Sequence, residues 1–356
     1  MTKKAEILSF LCVVLGLCTV AAGRTIYVDD DGPADFNTIQ AAIDDANNGD
    51  TIIVQPGLYQ ELVEYHGKNI TLTSTNPGAF DVVAATIIDY SVVFVGTEDS
   101  NCMLTGFKIN HRISGYGTHA TISHCLLIGN ITSDGNVIAG CDGTISNCVV
   151  AGSITGGDVI GSAIKGCHGL IKNCTVVHNL VYAGIRVQGG TTTIENCIIY
   201  YNIGQIRVDG TVNILYSDVG SGIYGDGTVN WGPGNTSSDP CFVRIGYSHG
   251  TYEDGDYHLK SQAGRWDPAS ESWVMDDVTS PCTDAGNPLS PVGLEPFPNG
   301  GIINMGAYGG TSEAGKSYFG KPPCETIVAG DVNGDCLVNF LDFRLMALRW
   351  CEDNSQ

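Results

Sequence analysis

Short apolar runs alternate with polar and glycine-rich stretches along the chain, and beneath this short alternation lies a longer period. Ser100-Asn101-Cys102, Ser123-His124-Cys125, Ser146-Asn147-Cys148, Lys172-Asn173-Cys174 and Glu195-Asn196-Cys197 each lead into an apolar run, and the cysteines follow one another at 23, 23, 26 and 23 residues. A repeat of that size is a coil length. Directly after the cysteines come Met103-Leu104-Thr105, Leu126-Leu127-Ile128, Val149-Val150-Ala151, Thr175-Val176-Val177 and Ile198-Ile199-Tyr200, each followed by a bend. A second short strand holds Val137-Ile138, Ala163-Ile164, Ile185 and Ile206, and a third holds Thr121-Ile122, Thr144-Ile145, Leu170-Ile171 and Thr193-Ile194. Three strands per coil of about 23 residues predict an all-β, right-handed parallel β-helix, in which each side chain stacks on its equivalent one coil away. A leucine-rich horseshoe would need a leucine consensus, and there is none.

This register turns the five cysteines into an inward ladder. A buried thiol packs as a small hydrophobe, and without a CxxC pair the ladder is not expected to bind metal. Asn130, Asn179 and Asn202 lie five residues after their cysteines, with Phe107 and Ser153 as departures. Asparagine tolerates a left-handed bend and its amide can bond to the next coil's, so an asparagine ladder is expected at that turn. Cys141 and Cys167 suggest a shorter second column. At the open end, Phe36, Ile39, Ala42 and Ile43 recur at helical spacing, which predicts a capping helix over 36–46 and a first strand over Asp50 to Val54.

Tyr27-Val28-Asp29-Asp30-Asp31-Gly32, Phe36-Asn37-Thr38-Ile39-Gln40-Ala41-Ala42-Ile43 and Val54-Gln55-Pro56-Gly57-Leu58-Tyr59 resemble the cap and first coil of secreted β-helix proteins of the pectin-lyase-like superfamily. Tyr216-Ser217-Asp218-Val219, Asp256-Tyr257-His258-Leu259, Ser280-Pro281-Cys282-Thr283-Asp284-Ala285-Gly286 and Asn304-Met305-Gly306-Ala307-Tyr308 look like the closing segments of such proteins. The resemblance spans roughly 24–310 and speaks to fold more than to activity.

The composition, 47 Gly and 15% charged residues in 356, suits a β-rich chain with frequent tight turns. Lys3 and Lys4, an apolar stretch from Ile7 to Ala22 and the small residues before Arg24 have the layout of a secretory signal peptide, residues 1–23. Its removal leaves 15 basic against 37 acidic residues, a formal charge of −22. Such a surface repels nucleic acid and anionic membranes and attracts calcium. A secreted monomer with no membrane span after cleavage is expected, with some of its twelve remaining cysteines paired as disulfides.

The β-helix with its caps is assigned to 24–315 and a linker to 316–329. In 330–356, Gly330-Asp331-Val332-Asn333-Gly334-Asp335-Cys336-Leu337-Val338-Asn339-Phe340-Leu341-Asp342 matches an EF-hand-type calcium loop, with a helix expected to run to Cys351. The segment resembles half a dockerin. By that resemblance Asp331, Asn333, Asp335 and Asp342 supply side-chain oxygens, Leu337 a backbone carbonyl, and Asn339 a direct or water-mediated contact. A cohesin-like or cell-surface partner is implied. Two departures count against it: Cys336 replaces the glycine at loop position 6, and the second repeat is missing. Cys336 could instead pair with Cys324 or Cys351.

Aligning Ile138, Ile164, Ile185 and Ile206 places Ala139, Lys165, Arg186 and Arg207 in one outward column. Stacked cations on an acidic protein invite an anionic ligand such as a uronic-acid chain, and polysaccharide lyases need a cation and a Lys or Arg base. Lys165, Arg186 and Arg207 are the candidate catalytic residues, with Asp142, Asp158 and Asp209 as nearby acids. His168 and His178 read as turn and ladder residues without partners. The Asn-Thr-Asp, Gly-Asp-Asp and Gly-His-Gly motifs of related glycoside hydrolases are absent, Asp30-Asp31 and Asp276-Asp277 lie near the ends, and the coils carry no long insertions to wall a cleft. The function implied is therefore binding or degradation of an extracellular polysaccharide, of lyase rather than hydrolase type. A non-catalytic adhesion protein and a structural coat component are the alternatives.

Overall fold

Each repeat folds into three strands separated by bends, and the strands of successive coils pair in parallel as three sheets. The structure is a computed structural model and describes residues 23–155, 161–248, 251–252, 255–318, 330, 332 and 338–348. The first sheet has ten strands, from Thr25–Val28 and Thr51–Val54 to Thr211–Leu215 and Thr228–Trp231. The second has eight, including Ile113–Thr118, Ile138–Cys141, Ser162–Lys165, Ala183–Val187 and Ile206–Val208. The third also has eight, including Leu126–Ile128, Val149–Ala151, Thr175–Val177 and Ile198–Tyr200. The result is the expected right-handed parallel β-helix.

The register is that of the repeat. Ile52, Leu72, Leu104, Ile122, Ile145, Ile171, Ile194 and Ile214 stand over one another on the inner face of the first sheet, none more than 1% exposed. Cys125, Cys148, Cys174 and Cys197 form the expected ladder and are fully buried; Cys102 is buried too but falls outside it, because Met103–Thr105 pairs with Thr121–Ser123 in the first sheet, and Phe107 takes the place one coil before Cys125. Burial pushes the thiols of Cys125, Cys148 and Cys174 well up, so they stay protonated and inert. The nine described cysteines are all free thiols, and the expected disulfides are not formed among them; Cys324, Cys336 and Cys351 lie outside the described residues.

The bends correct the reading of the asparagines. The left-handed residue is not Asn130, Asn179 or Asn202 but the one before: Gly129, His178 and Tyr201, at φ of 69°, 53° and 56°. The asparagine itself points inward and serves the backbone. Asn179 Oδ1 accepts from Ser153 N at 3.1 Å, and Asn202 Oδ1 accepts from Asn179 N at 3.0 Å and Asn179 Nδ2 at 2.9 Å. A bend N–H that is buried and has no strand partner needs such an acceptor. At the opposite bend the residue before each of Cys125, Cys148, Cys174 and Cys197 is left-handed: His124, Asn147, Asn173 and Asn196, at φ between 48° and 54°. Cys174 N–H points to Cys197 Sγ at 3.4 Å there, and Cys197 N–H to Ser217 Oγ at 3.1 Å.

The capping helix is Ile39–Asp45, shorter than expected at both ends, with Ile39, Ala42 and Ile43 fully buried. Glu61 accepts from Ile39 N at 2.7 Å and Gln40 N at 2.9 Å, while Lys68 Nζ donates to the carbonyls of Ile43, Asp44 and Ala46 at 2.7 to 2.8 Å. The first coil thus supplies an anion and a cation to the matching ends of the helix dipole. The first sheet also begins one strand earlier than expected, because Thr25–Val28, ahead of the helix, pairs with Thr51–Val54.

After Trp231 the chain does not merely close the solenoid; it returns along the outer face of the third sheet. That face is apolar. Leu126, Val149, Ala151, Val177 and Ile198 are buried there against Phe242, Tyr257, Leu259, Cys282, Met305 and Ala307, with Phe80 and Val83 from the short helix Phe80–Ala85. The left-handed asparagines hold the returning segment: Asn147 Nδ2 donates to Ala307 O and Gly309 O, Asn173 Nδ2 to Asn304 O, and Asn196 Oδ1 accepts from Asn287 N.

Candidate functional site

The outward column of the second sheet is in the predicted register: Ser114, Ala139, Lys165, Arg186, Arg207 and Tyr224 pair in succession. The three cations are not equivalent. Asp209 accepts from Arg186 Nε at 2.9 Å and from Arg207 Nε at 2.8 Å, bridging the two guanidinium groups. Arg207 also donates to Tyr182 Oη at 2.7 Å and lies over that ring. The bonds from Arg207, partly opposed by burial, and those from Arg186 hold the Asp209 carboxyl below its usual range. Arg207 is in turn held protonated, chiefly by its bond to Asp209. A guanidinium so bound makes a poor base but a rigid positive wall.

The Lys165 ammonium makes no hydrogen bond or ion pair among the described residues, although its backbone carbonyl accepts from Cys167 Sγ. It lines an open groove of about 370 Å³ with Arg112, Tyr116, Asp134, Asn136 and Gln188. Arg112 is paired with Asp134 at 2.9 Å, and Tyr116, 69% exposed, projects at the edge. Asp142 serves His168: its Oδ1 accepts from His168 N at 3.0 Å and meets Nδ1 at 3.1 Å, while His168 Nε2 faces Gln188 O at 3.0 Å. His168 is the turn residue expected, but it does have a carboxylate partner. His178 is a stacked ladder member against Tyr201, and burial takes its pKa down to about 4. Asp158 lies outside the described residues.

A cluster in the closing segments, not among the site residues that the sequence predicts, sits where the returning chain meets the third sheet. His258, 3% exposed, meets Asp256 Oδ1 through Nδ1 at 2.6 Å and Glu313 Oε2 through Nε2 at 3.1 Å, and its ring stacks on Tyr308 at 3.8 Å. Burial alone would lower the His258 pKa; the bonds to Asp256 and Glu313 outweigh it and leave the pKa raised. The other Glu313 oxygen accepts from Phe80 N at 2.9 Å, tying strand 256–259 to the helix Phe80–Ala85. Both imidazole nitrogens are occupied, so the group locks the segment in place rather than exchanging protons with a ligand. The alternation in Asp256-Tyr257-His258-Leu259 was a signal for a strand; its partner, 55 residues later, left no local trace.

Of the calcium-loop candidates, Asn339 and Asp342 are described, and Asp331, Asn333, Asp335 and Leu337 lie outside the described residues. The helix is described over Phe340–Leu348, and 349–351 lie outside the described residues. Asp342 is 1% exposed, and its two oxygens accept from Val332 N at 2.8 Å and Asn339 N at 2.7 Å. Asn339 Oδ1 accepts from Leu341 N at 2.8 Å. The pair forms a reciprocal cap on the helix and turns a buried carboxylate into the loop. That donor chemistry, hard oxygens and a negative charge, fits calcium. Elsewhere, the oxygens of Asp29, Asp30 and Asp31 lie within 4.8 Å of one another, and Asp30 accepts from Leu58 N.

Fold and site together define a parallel β-helix protein with a cationic outer column and a returning C-terminal segment. Residues 211–286 match the family described as Disaggregatase related, a stretch that includes Asp256 and His258. The crystal structure of pectate lyase Pel9A is similar at 14% sequence identity and a TM-score of 0.42, covering 81% of this chain and 97% of that one. No curated protein matches the chain. Among the described residues no helix is long and apolar enough to cross a membrane.

Proposed function

We propose that the protein is a secreted binder of acidic polysaccharide, and that the glycan lies along the outer column of the second sheet. One observation carries this reading: among the described residues no acid pairs with the Lys165 ammonium, which lines an open groove next in register to the Arg186–Asp209–Arg207 clamp. On a chain of such negative charge, a cationic column is the place where a carboxylated sugar meets attraction instead of repulsion. Tyr116, Asn136 and Gln188 offer an aromatic face and hydrogen-bonding groups beside it.

A second reading, β-elimination, is favoured by the same lysine. As base, Lys165 would take the proton beside the sugar carboxylate; that bonding pair becomes a carbon–carbon double bond, and the glycosidic oxygen leaves and takes up a proton. Incubation with polygalacturonate and alginate oligomers separates the readings. Binding without ultraviolet-absorbing unsaturated products supports the binder, whereas products that vanish in Lys165→Ala support the lyase. Wild type that retains none of these glycans would sink both, and Lys165→Ala is expected to weaken retention about tenfold.

The C-terminal loop, by the same proposal, takes calcium through Asp331, Asn333, Asp335, Leu337, Asn339 and Asp342. A cell-surface or cohesin-like partner for it stays a proposal of lower rank.

A further inference from the structure

The returning segment and the helix Phe80–Ala85 enclose a second cleft on a different face from the cationic column. Two adjoining cavities, of about 430 and 490 Å³, share Asp81, Pro268 and Glu313 as walls. The outer one is built around a cross-strand pair in the hairpin Arg265–Asp267/Ser272–Val274, where Trp266 opposes Trp273 with ring centroids 5.6 Å apart at 61°. Both rings are half-buried, so each presents apolar surface to the cleft.

The charge of this cavity is one-sided. Its ionisable lining is Asp81, Glu271 and Glu313, with no basic residue in the wall. Glu313 is bound to Phe80 N and His258, whereas Asp81 and Glu271 are exposed. Lys316 Nζ already sits 3.9 Å from the Trp273 ring centroid, which shows that an ammonium group fits against this pair. A uronate would meet one ammonium, Lys316, against the three carboxylates of Asp81, Glu271 and Glu313. A pyranose with a free amine meets an indole face for its apolar carbons and carboxylates for its ammonium.

We propose that the Trp266–Trp273 cleft is a binding subsite for hexosamine units that carry a free amine. It is independent of the acidic-glycan column: the two lie on different faces and select opposite charges, so either can fail without the other. Glucosamine oligomers are titrated against the full chain near pH 6, by calorimetry and by tryptophan fluorescence. N-acetylated glucosamine oligomers and neutral glucose oligomers serve as comparison ligands, and Asp81→Asn/Glu271→Gln as the variant.

Glucosamine oligomers are expected to bind, the N-acetylated and neutral oligomers about tenfold more weakly, and the double variant to lose about tenfold for the amine form alone. Lys165→Ala should leave this binding unchanged. Equal affinity for the N-acetylated oligomers, no response to the double variant, or no binding of the glucosamine oligomers would each overturn the proposal. Both substituted residues are exposed, and an unchanged melting temperature confirms that the variant is folded.

Discussion

Asn147 sits at φ of 50° and donates from its amide to Ala307 O at 3.0 Å and Gly309 O at 2.8 Å. Few residues both adopt a left-handed bend without strain and present two donors there. Replacing it separates the two contributions. Asn147→Gly keeps the bend and loses the bonds, at a cost of about 1–2 kcal/mol; Asn147→Ala adds the backbone penalty and is expected to cost about 1 kcal/mol more. Urea unfolding midpoints of the two variants check the order, and equal values would remove the bend from the account. Asn147 belongs to the repeat in the sequence, but the repeat pattern predicts the left-handed turn at Asn130, Asn179 and Asn202 instead. Composition cannot distinguish an asparagine that bends the backbone from one that satisfies its neighbour's N–H, because the same amide does both.

At the scale of the element, the returning segment is held by groups whose charge depends on pH. Glu295 is buried, with Oε1 accepting from Asn304 N and Gly310 N at 2.8 Å, and burial pushes its carboxyl up to about 8. Burial likewise raises Asp284 to about 6. Between its usual 4.5 and about 8 the unfolded chain has released the Glu295 proton while the folded chain keeps it, so stability falls as pH rises across that window. The raised pKa of His258 acts in the same sense, its stabilisation being lost as pH climbs through the folded value. Amide exchange of residues 280–318 should therefore be slowest near pH 5 after correction for intrinsic rates, and Glu295→Gln should flatten the trend. For the C-terminal loop, calcium is expected to increase helicity and to protect 338–348, and Asp342→Ala to abolish both; circular dichroism with and without chelator gives the answer. The apolar runs and the cysteine period made the coils legible. The docking of the returning segment was not, since its contacts join residues 91 to 233 positions apart.

For the whole molecule, the third sheet's apolar outer stripe is the feature that decides stability. Sheets with one solvated face alternate apolar and polar residues, whereas continuous apolar runs such as Leu126-Leu127-Ile128 belong to strands covered on both sides. By that rule, the runs after Cys125, Cys148, Cys174 and Cys197 require a cover, and the returning segment provides it. A chain ending at residue 236 would expose Leu126, Val149, Val177 and Ile198 together, a patch of the kind that drives association. Light scattering should show that truncated chain forming large species at concentrations where the full one stays dispersed. The candidate site was legible to the same degree as the coils: the column was placed correctly, but the bridging of Arg186 and Arg207 by Asp209 depended on side-chain geometry that no pattern encodes.

The two ends of the solenoid are treated differently. The helix Ile39–Asp45, fastened by Glu61 and Lys68, seals the first coil, whereas the last strand of the first sheet, Thr228–Trp231, is largely exposed, with Trp231 at 56%. One sealed and one open terminus make the rod polar in the manner of a plug without a socket. With the first coil sealed, a lattice of parallel strands that would otherwise extend from rod to rod into a fibre cannot propagate.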